Sequence, residues 1–294
     1  MDSNGYSTWL EIDLGAIQNN VRQLLAITKT PVMAVVKADG YGHGAAATAQ
    51  AAVAAGATWV GVARLEEALA LRKLGLTSKI LVLGYTPAER ISDAIAHDIS
   101  LTIYDTAVGE SYASQARICG GRVRLHLKVD SGMGRLGVAP EEAVEFLRWL
   151  TIQPGLEPEG IFTHFARADE PEQRTTLEQL ARFNVLLMTL RGLKLCPPIV
   201  HAANSAAALN FPDSRFDLIR PGIAIYGFHP SPQTILPAGF VPALAWKTRL
   251  TSVKILPPGH GVSYGHIYTT THTERIGSIA VGYADGFRRV DNNV

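Results

Sequence analysis

The chain has 294 residues, 47% of them hydrophobic and 18% charged, and its 27 Lys and Arg against 26 Asp and Glu leave a net charge of +1. So apolar a chain excludes disorder, and so balanced a charge argues against a nucleic acid or an anionic membrane as partner. Cys119 and Cys196 are too few and too far apart for a disulfide framework or a metal cluster and are expected to be buried apolar thiols, while the polar start (Met1–Ser7) and the lack of a long apolar run point to a cytoplasmic protein without a leader or membrane span.

Thr8–Asp13 reads as a strand, with Asp13 placed to cap a helix over Leu14–Ile27. Short β-branched runs then alternate with helical ones. Strand Pro31–Lys37 precedes a helix over Ala45–Ala55, with Gly56 at its end. Strand Trp59–Ala63 precedes helix Leu65–Leu74, and Lys79–Leu83 precedes a helix near Pro87–His97. Ser100–Tyr104 is followed by helix Thr106–Ile118, and Arg122–Val129 by a helix starting at Pro140. Leu156–His164 leads to a long helix, Pro171–Leu190, and Ile199–Ala202 to a short one, Ser205–Leu209. Leu218–Ile219 is the eighth strand. Eight β-then-α units predict an α/β fold, a TIM (β/α)8 barrel over residues 1–234, with an open doubly wound sheet as the competing arrangement. From residue 235 the texture changes: Leu244–Ile255 alternates and Ile276–Val281 is another strand. This reads as a β-rich second domain over 235–294, with which residues 1–13 are free to pair. The ending Asp291–Val294 comes soon after a strand, so that domain is expected to be partial.

Barrel enzymes build their sites at the C-terminal ends of strands. Those positions here carry Lys37, Asp39 and Tyr41, then Arg64, Tyr85, Lys128, Asp130 and Arg135, then His164, Arg167, His201, Asn204, Ser205 and Arg220. Basic residues dominate, which favours an anionic ligand such as a phosphate. No pair of histidines with a carboxylate has metal spacing, so no metal is expected. Lys37 follows Val35-Val36 directly. Desolvation there would favour the nucleophilic neutral amine a Schiff base needs; the alternative is a lysine that snorkels to water. Gly222, just after the last strand, suits either a phosphate cradle or a plain turn.

Val36-Lys37-Ala38-Asp39-Gly40-Tyr41-Gly42-His43-Gly44 resembles the cofactor-attachment motif of the alanine racemase family. The resemblance runs from Thr8 to Arg289. It continues through Lys128–Gly137 (KVDSGMGRLG), Thr163–Ala166, Asn204-Ser205, Arg220–Ile223, Tyr264-Gly265 and Gly282–Gly286. It implies a pyridoxal 5'-phosphate (PLP) barrel followed by a β domain, a homodimer, and interconversion of L- and D-alanine, which supplies D-alanine for the bacterial cell wall. Within it, Lys37 holds PLP as a Schiff base and moves one proton. Tyr264, from the second subunit, is the opposing base. Tyr41, Ser205 and the backbone of Gly222 and Ile223 hold the phosphate, and Arg220 faces the pyridine nitrogen. His164 hydrogen-bonds Arg220 and Tyr264. Arg135 contacts the cofactor and the substrate carboxylate. Lys128 resembles a lysine carbamylated in many members; unmodified, it would leave Asp130 to balance the charges near Arg135. Arg220 and the Tyr264 motif count against a PLP-barrel decarboxylase, and a second domain with Tyr264 in place counts against a non-catalytic PLP binder, which consists of the barrel alone. Alanine and serine differ too little for sequence to separate them as substrates.

Overall fold

The computed structural model describes residues 5–287, so Arg289 and the ending Asp291–Val294 lie outside the described residues. Those residues form two compact units, one over 13–243 and one joining 5–12 to 244–287.

The first unit is a barrel built from β-then-α units. Its parallel sheet runs in chain order through β2 (Met33–Val35), β3 (Trp59–Val62), β4 (Lys79–Val82), β5 (Ile99–Ile103), β6 (Val123–Lys128), β7 (Leu156–Phe162) and β8 (Ile199–His201). Helices Leu14–Thr28, Ala45–Ala54, Leu65–Lys73, Ile91–Ala96, Thr106–Cys119, Ala143–Ile152, Arg174–Gly192 and Ser205–Asn210 accompany it. Three of them start on side-chain caps. Asp13 accepts from Ala16 N, Asp105 from Val108 N and Asn204 from Ala207 N, each satisfying a helix-end donor. One continuous core, including Val21, Val60, Leu101, Leu125 and Phe183, fills the space between strands and helices.

The eighth strand departs from expectation. Only seven strands are regular, and the ring closes through Asp217–Pro221. Met33 N donates to Ile219 O (2.8 Å) and Ile219 N to Pro31 O (3.0 Å) on one side; Arg220 N donates to Ala203 O (2.8 Å) on the other. Pro221 has no N–H, and the Asp217 carboxylate takes the Val200 N–H (2.8 Å), so the run cannot make a full ladder. The helix expected to start at Pro140 begins at Ala143, because turn bonds from Glu142 N to Ala139 O and from Ala143 N to Pro140 O occupy the intervening residues. Cys119 is exposed at the last turn of its helix and Cys196 is half-buried, so neither is the fully buried thiol expected.

The second unit is made of antiparallel pairs. β1 (Thr8–Ile12) pairs with β9 (Leu244–Thr248), β10 (Leu250–Leu256) with β13 (Glu274–Ile279), and β11 (Gly261–Val262) with β12 (Tyr268–Thr269). The single strand expected over Leu244–Ile255 breaks at Arg249, where the chain changes partner from β1 to β13 and Arg249 N donates to Ser7 O.

Candidate active site

Lys37 leaves the end of β2 and enters a left-handed helical turn. Ala38, Asp39, Gly40 and Tyr41 have φ of 52°, 51°, 63° and 55°. Each non-glycine residue held there costs roughly 1–2 kcal/mol, so the turn exists only because its surroundings over-determine it. Glu67 Oε1 accepts the Ala38 N–H (2.7 Å), Glu67 Oε2 accepts the Ala63 N–H (2.7 Å), and Asp39 Oδ1 accepts the Ala45 N–H (2.8 Å). His43 Nδ1 donates to Gly40 O (3.1 Å), and its ring lies 4.4 Å from that of Tyr226. Tyr226 in turn donates its hydroxyl to Val35 O (3.1 Å). These braces place Lys37 and Tyr41 on the wall of the same cavity.

That cavity has a volume of about 510 Å³. Lys37, Tyr41, Lys128, Arg135, His164, Asn204, Ser205, Arg220, Gly222 and Ile223 line it, and among the described residues Asp169 is the one acidic residue of its walls. At the floor, Arg220 is 4% exposed. Its Nη2 donates to Thr163 O (2.8 Å), Ala202 O (2.9 Å) and His164 Nδ1 (3.1 Å), and its Nη1 donates to His201 Nδ1 (2.9 Å). Burial pushes the guanidinium down to about 9, still protonated at neutral pH. Burial, and then the charges of Arg220, Lys128, Arg135 and Lys37, hold the His164 imidazole well below its ordinary value, so it is neutral. Lys128 stands with Nζ 4.6 Å from the centre of the Phe162 ring. Burial, and then Arg220 and Arg135, push its ammonium well below the usual range; Asp130 acts the other way. The Asp130 carboxylate is itself engaged, accepting the N–H groups of Gly132 (2.9 Å), Met133 (2.7 Å) and Gly134 (3.1 Å) to hold the loop that carries Arg135.

The walls fit an anionic, phosphate-bearing cofactor. Ser205 Oγ accepts the N–H groups of Gly222 (3.0 Å) and Ala224 (3.2 Å), which fixes that backbone beside the Tyr41 hydroxyl and leaves the Ser205 O–H to donate. A Cβ on Gly222 would sit 2.5 Å from the Tyr41 oxygen, so only glycine leaves that cradle open. Among the described residues no cluster of His, Cys, Asp or Glu could hold a metal ion.

The alanine racemase N-terminal domain matches residues 12–230, and the C-terminal domain of the same enzymes matches 243–294. The chain belongs to the alanine racemase family. It is similar to the alanine racemase of Symbiobacterium thermophilum, at 44% identity over 99% of this chain and 78% of that one. The crystal structure of alanine racemase from D-cycloserine-producing Streptomyces lavendulae superposes with a TM-score of 0.90 at 39% identity, over 95% of this chain and 75% of that one. That of Bacillus anthracis with bound L-Ala-P superposes at 0.86 with 40% identity, over 95% and 74%.

Of the residues that the family resemblance singles out, nine line the one cavity: Lys37, Tyr41, Lys128, Arg135, His164, Ser205, Arg220, Gly222 and Ile223. Tyr264 belongs to the β unit. There it is 88% exposed, on a turn where Ser263, Gly265 and His266 all have positive φ. Arg64 and Tyr85 are exposed and do not line the cavity, and Arg167 pairs with Glu170. Sequence reading passed over Glu67, which braces the Lys37 turn, and His126 and Glu159, which lie beneath Arg220. A signal for His126 existed. Residues two apart share one face of a strand, so Arg124, His126 and Lys128 form a polar stripe within the apolar β6.

Proposed function

We propose that this chain binds PLP through Lys37 and interconverts L- and D-alanine in the cytoplasm as a homodimer, supplying D-alanine for the cell wall. One observation carries the reading: a single cavity presents an amine, a glycine-lined phosphate cradle and a buried arginine. When bound, PLP supplies an electron sink for negative charge at the substrate Cα. The chain does the rest. Tyr41, Ser205 and the backbone of Gly222 and Ile223 hold the phosphate. Arg220 presents a group that only donates to the pyridine nitrogen, so that nitrogen stays unprotonated. Arg135 orients the substrate carboxylate. Lys37 Nζ moves the proton on one face and the Tyr264 phenol moves it on the other, so neither group has to travel. His164, whose Nδ1 accepts from Arg220, has only Nε2–H left to offer Tyr264.

Racemisation of L-alanine by the purified chain with PLP, and its rate with L-serine, tests the reading. No D-alanine at any PLP concentration would overturn it. Tyr264→Phe is expected to slow the reaction about 10²–10⁴-fold, the range for losing one acid–base group, with the cofactor's absorbance unchanged. Mixing Lys37→Ala and Tyr264→Phe subunits is expected to restore about one quarter of wild-type activity, because each mixed dimer regains one intact site if Tyr264 crosses the interface. No recovery would place Tyr264 in its own subunit's site.

In its deprotonated form, which burial, Arg220 and Arg135 favour, the Lys128 amine adds carbon dioxide, forming an N–C bond and releasing one proton to give a carbamate. The new anion would sit beside Arg135 and orient it. Isotope-labelled bicarbonate is expected to give a carbamate carbon resonance that vanishes in Lys128→Ala; a wild-type spectrum without it removes this role.

A further inference from the structure

Arg220 is the most buried charge of the cavity, and among the described residues no carboxylate forms an ion pair with it. A chain of side chains leads from it instead. Arg220 Nη1 meets His201 Nδ1 at 2.9 Å, His201 Nε2 meets His126 Nδ1 at 2.8 Å, and His126 Nε2 meets Glu159 Oε2 at 3.2 Å. The order of protons along this chain follows from its two ends. A guanidinium only donates and a carboxylate only accepts. His126 Nε2 therefore carries a proton for Glu159, which leaves its Nδ1 to accept from His201. His201 Nε2 carries that proton, which leaves its Nδ1 to accept from Arg220. Both rings are neutral and both are in the Nε2–H form.

Packing supports the same arrangement. Both imidazoles are fully buried. Phe162 stacks on His201 at 4.7 Å and 6°, and the edge of Trp59 meets His126 at 5.4 Å. A Cβ on Gly160 would lie 2.3 Å from His126 Nδ1, so the ring sits where only glycine leaves room. Glu159 is held by Ser100 Oγ (2.5 Å) and by Lys79 (3.4 Å) and Arg124 (3.5 Å). Burial by itself would raise the Glu159 carboxyl, but the bonds from His126 and Ser100, with Arg124 nearby, bring it down to about 2, so at neutral pH it is an acceptor.

We propose that Glu159 is a positioning residue for Arg220: acting through His126 and His201, it fixes the tautomer of both rings and so presents Arg220 with an acceptor rather than a competing donor. Without that carboxylate the chain is held from the Arg220 end alone, and His126 is free to reverse its proton and, with it, that of His201. The guanidinium would then lose a partner at Nη1 and its aim into the cavity. The effect on catalysis rests on the reading that this cavity takes PLP; the proton order does not.

Nitrogen NMR of the labelled full chain reads the proton order directly. Wild type is expected to show protonated Nε2 and bare Nδ1 on His126 and His201, with or without PLP. In Glu159→Gln, whose amide can donate as well as accept, both forms are expected at His201. The visible band of the PLP-loaded protein is expected to shift, and kcat to fall about tenfold with KM within about twofold, since only an interaction felt at the reacting centre is lost. Glu159→Asp should restore most of the band position. Ser100→Ala, which keeps the carboxylate, should leave the band in place. If Glu159→Gln does not fold, His126→Phe, which removes the acceptor of His201, is read in the same way. A proton on Nδ1 of either ring in wild type overturns the proposal. So does an unchanged His201 tautomer and band in Glu159→Gln, or an equal shift in Ser100→Ala. If the tautomers are as stated and wild type forms no cofactor band, the chain of protons stands and the PLP reading falls.

Discussion

Lys37→Ala is expected to remove racemisation altogether, a loss of at least about 10⁴-fold, the upper range for a single acid–base group. Two functions end with one side chain. The amine that would hold PLP covalently is gone, and so is the proton carrier on that face of the substrate. The left-handed turn should survive, because its braces are the Glu67 and Asp39 carboxylates and His43 rather than Lys37. The variant should therefore bind PLP non-covalently and keep its fold. Absorbance with and without borohydride separates the two states: wild type becomes labelled irreversibly, the variant does not. Activity surviving in Lys37→Ala would show that another amine serves, and Lys128, on the same cavity wall, would be the one to test.

Acid should unfold the barrel steeply from near pH 6.5. His126, His164 and His201 are all held below the ordinary histidine value of 6.5, in each case first by burial. Below pH 6.5 the unfolded rings bind protons that the native rings refuse. Their contribution is therefore fully present above pH 6.5 and is lost as the pH falls. With three rings, stability should decline by about 4 kcal/mol per pH unit once the unfolded rings are fully protonated. Glu159 adds to the loss lower down, between its ordinary 4.5 and about 2. Urea unfolding followed through Trp59 and Trp149 at several pH values checks this. His126→Phe should reduce the slope by about one third, for one proton of three. A stability that stays flat between about pH 7.5 and 5.5 would mean the rings are not buried neutral.

Much of this protein was legible in its sequence. The alternation of β-branched runs with helical ones, Asp13 as a helix cap and the change of texture in the last fifth are local signals, carried by spacing and side-chain type. So is the attachment motif around Lys37, and the polar residues at strand ends were a fair guide to the cavity because a parallel barrel brings those ends together. Other features depended on partners distant in sequence. The left-handed path of Ala38–Tyr41 is locally unfavourable and is held by Glu67 and Tyr226, which no pattern near residue 38 announces. The eighth strand stays irregular because Asp217 turns its carboxylate to Val200. The path from Arg220 to Glu159 crosses three barrel strands, so the sequence offered His201 as one strand-end polar residue among several and gave no sign that His126 and Glu159 join it to Arg220. Sequence determined which groups are available and the order in which strands and helices follow one another. The tertiary structure alone decided which donor faces which acceptor, because the state of a buried proton is set by the atoms that surround it and not by its neighbours along the chain.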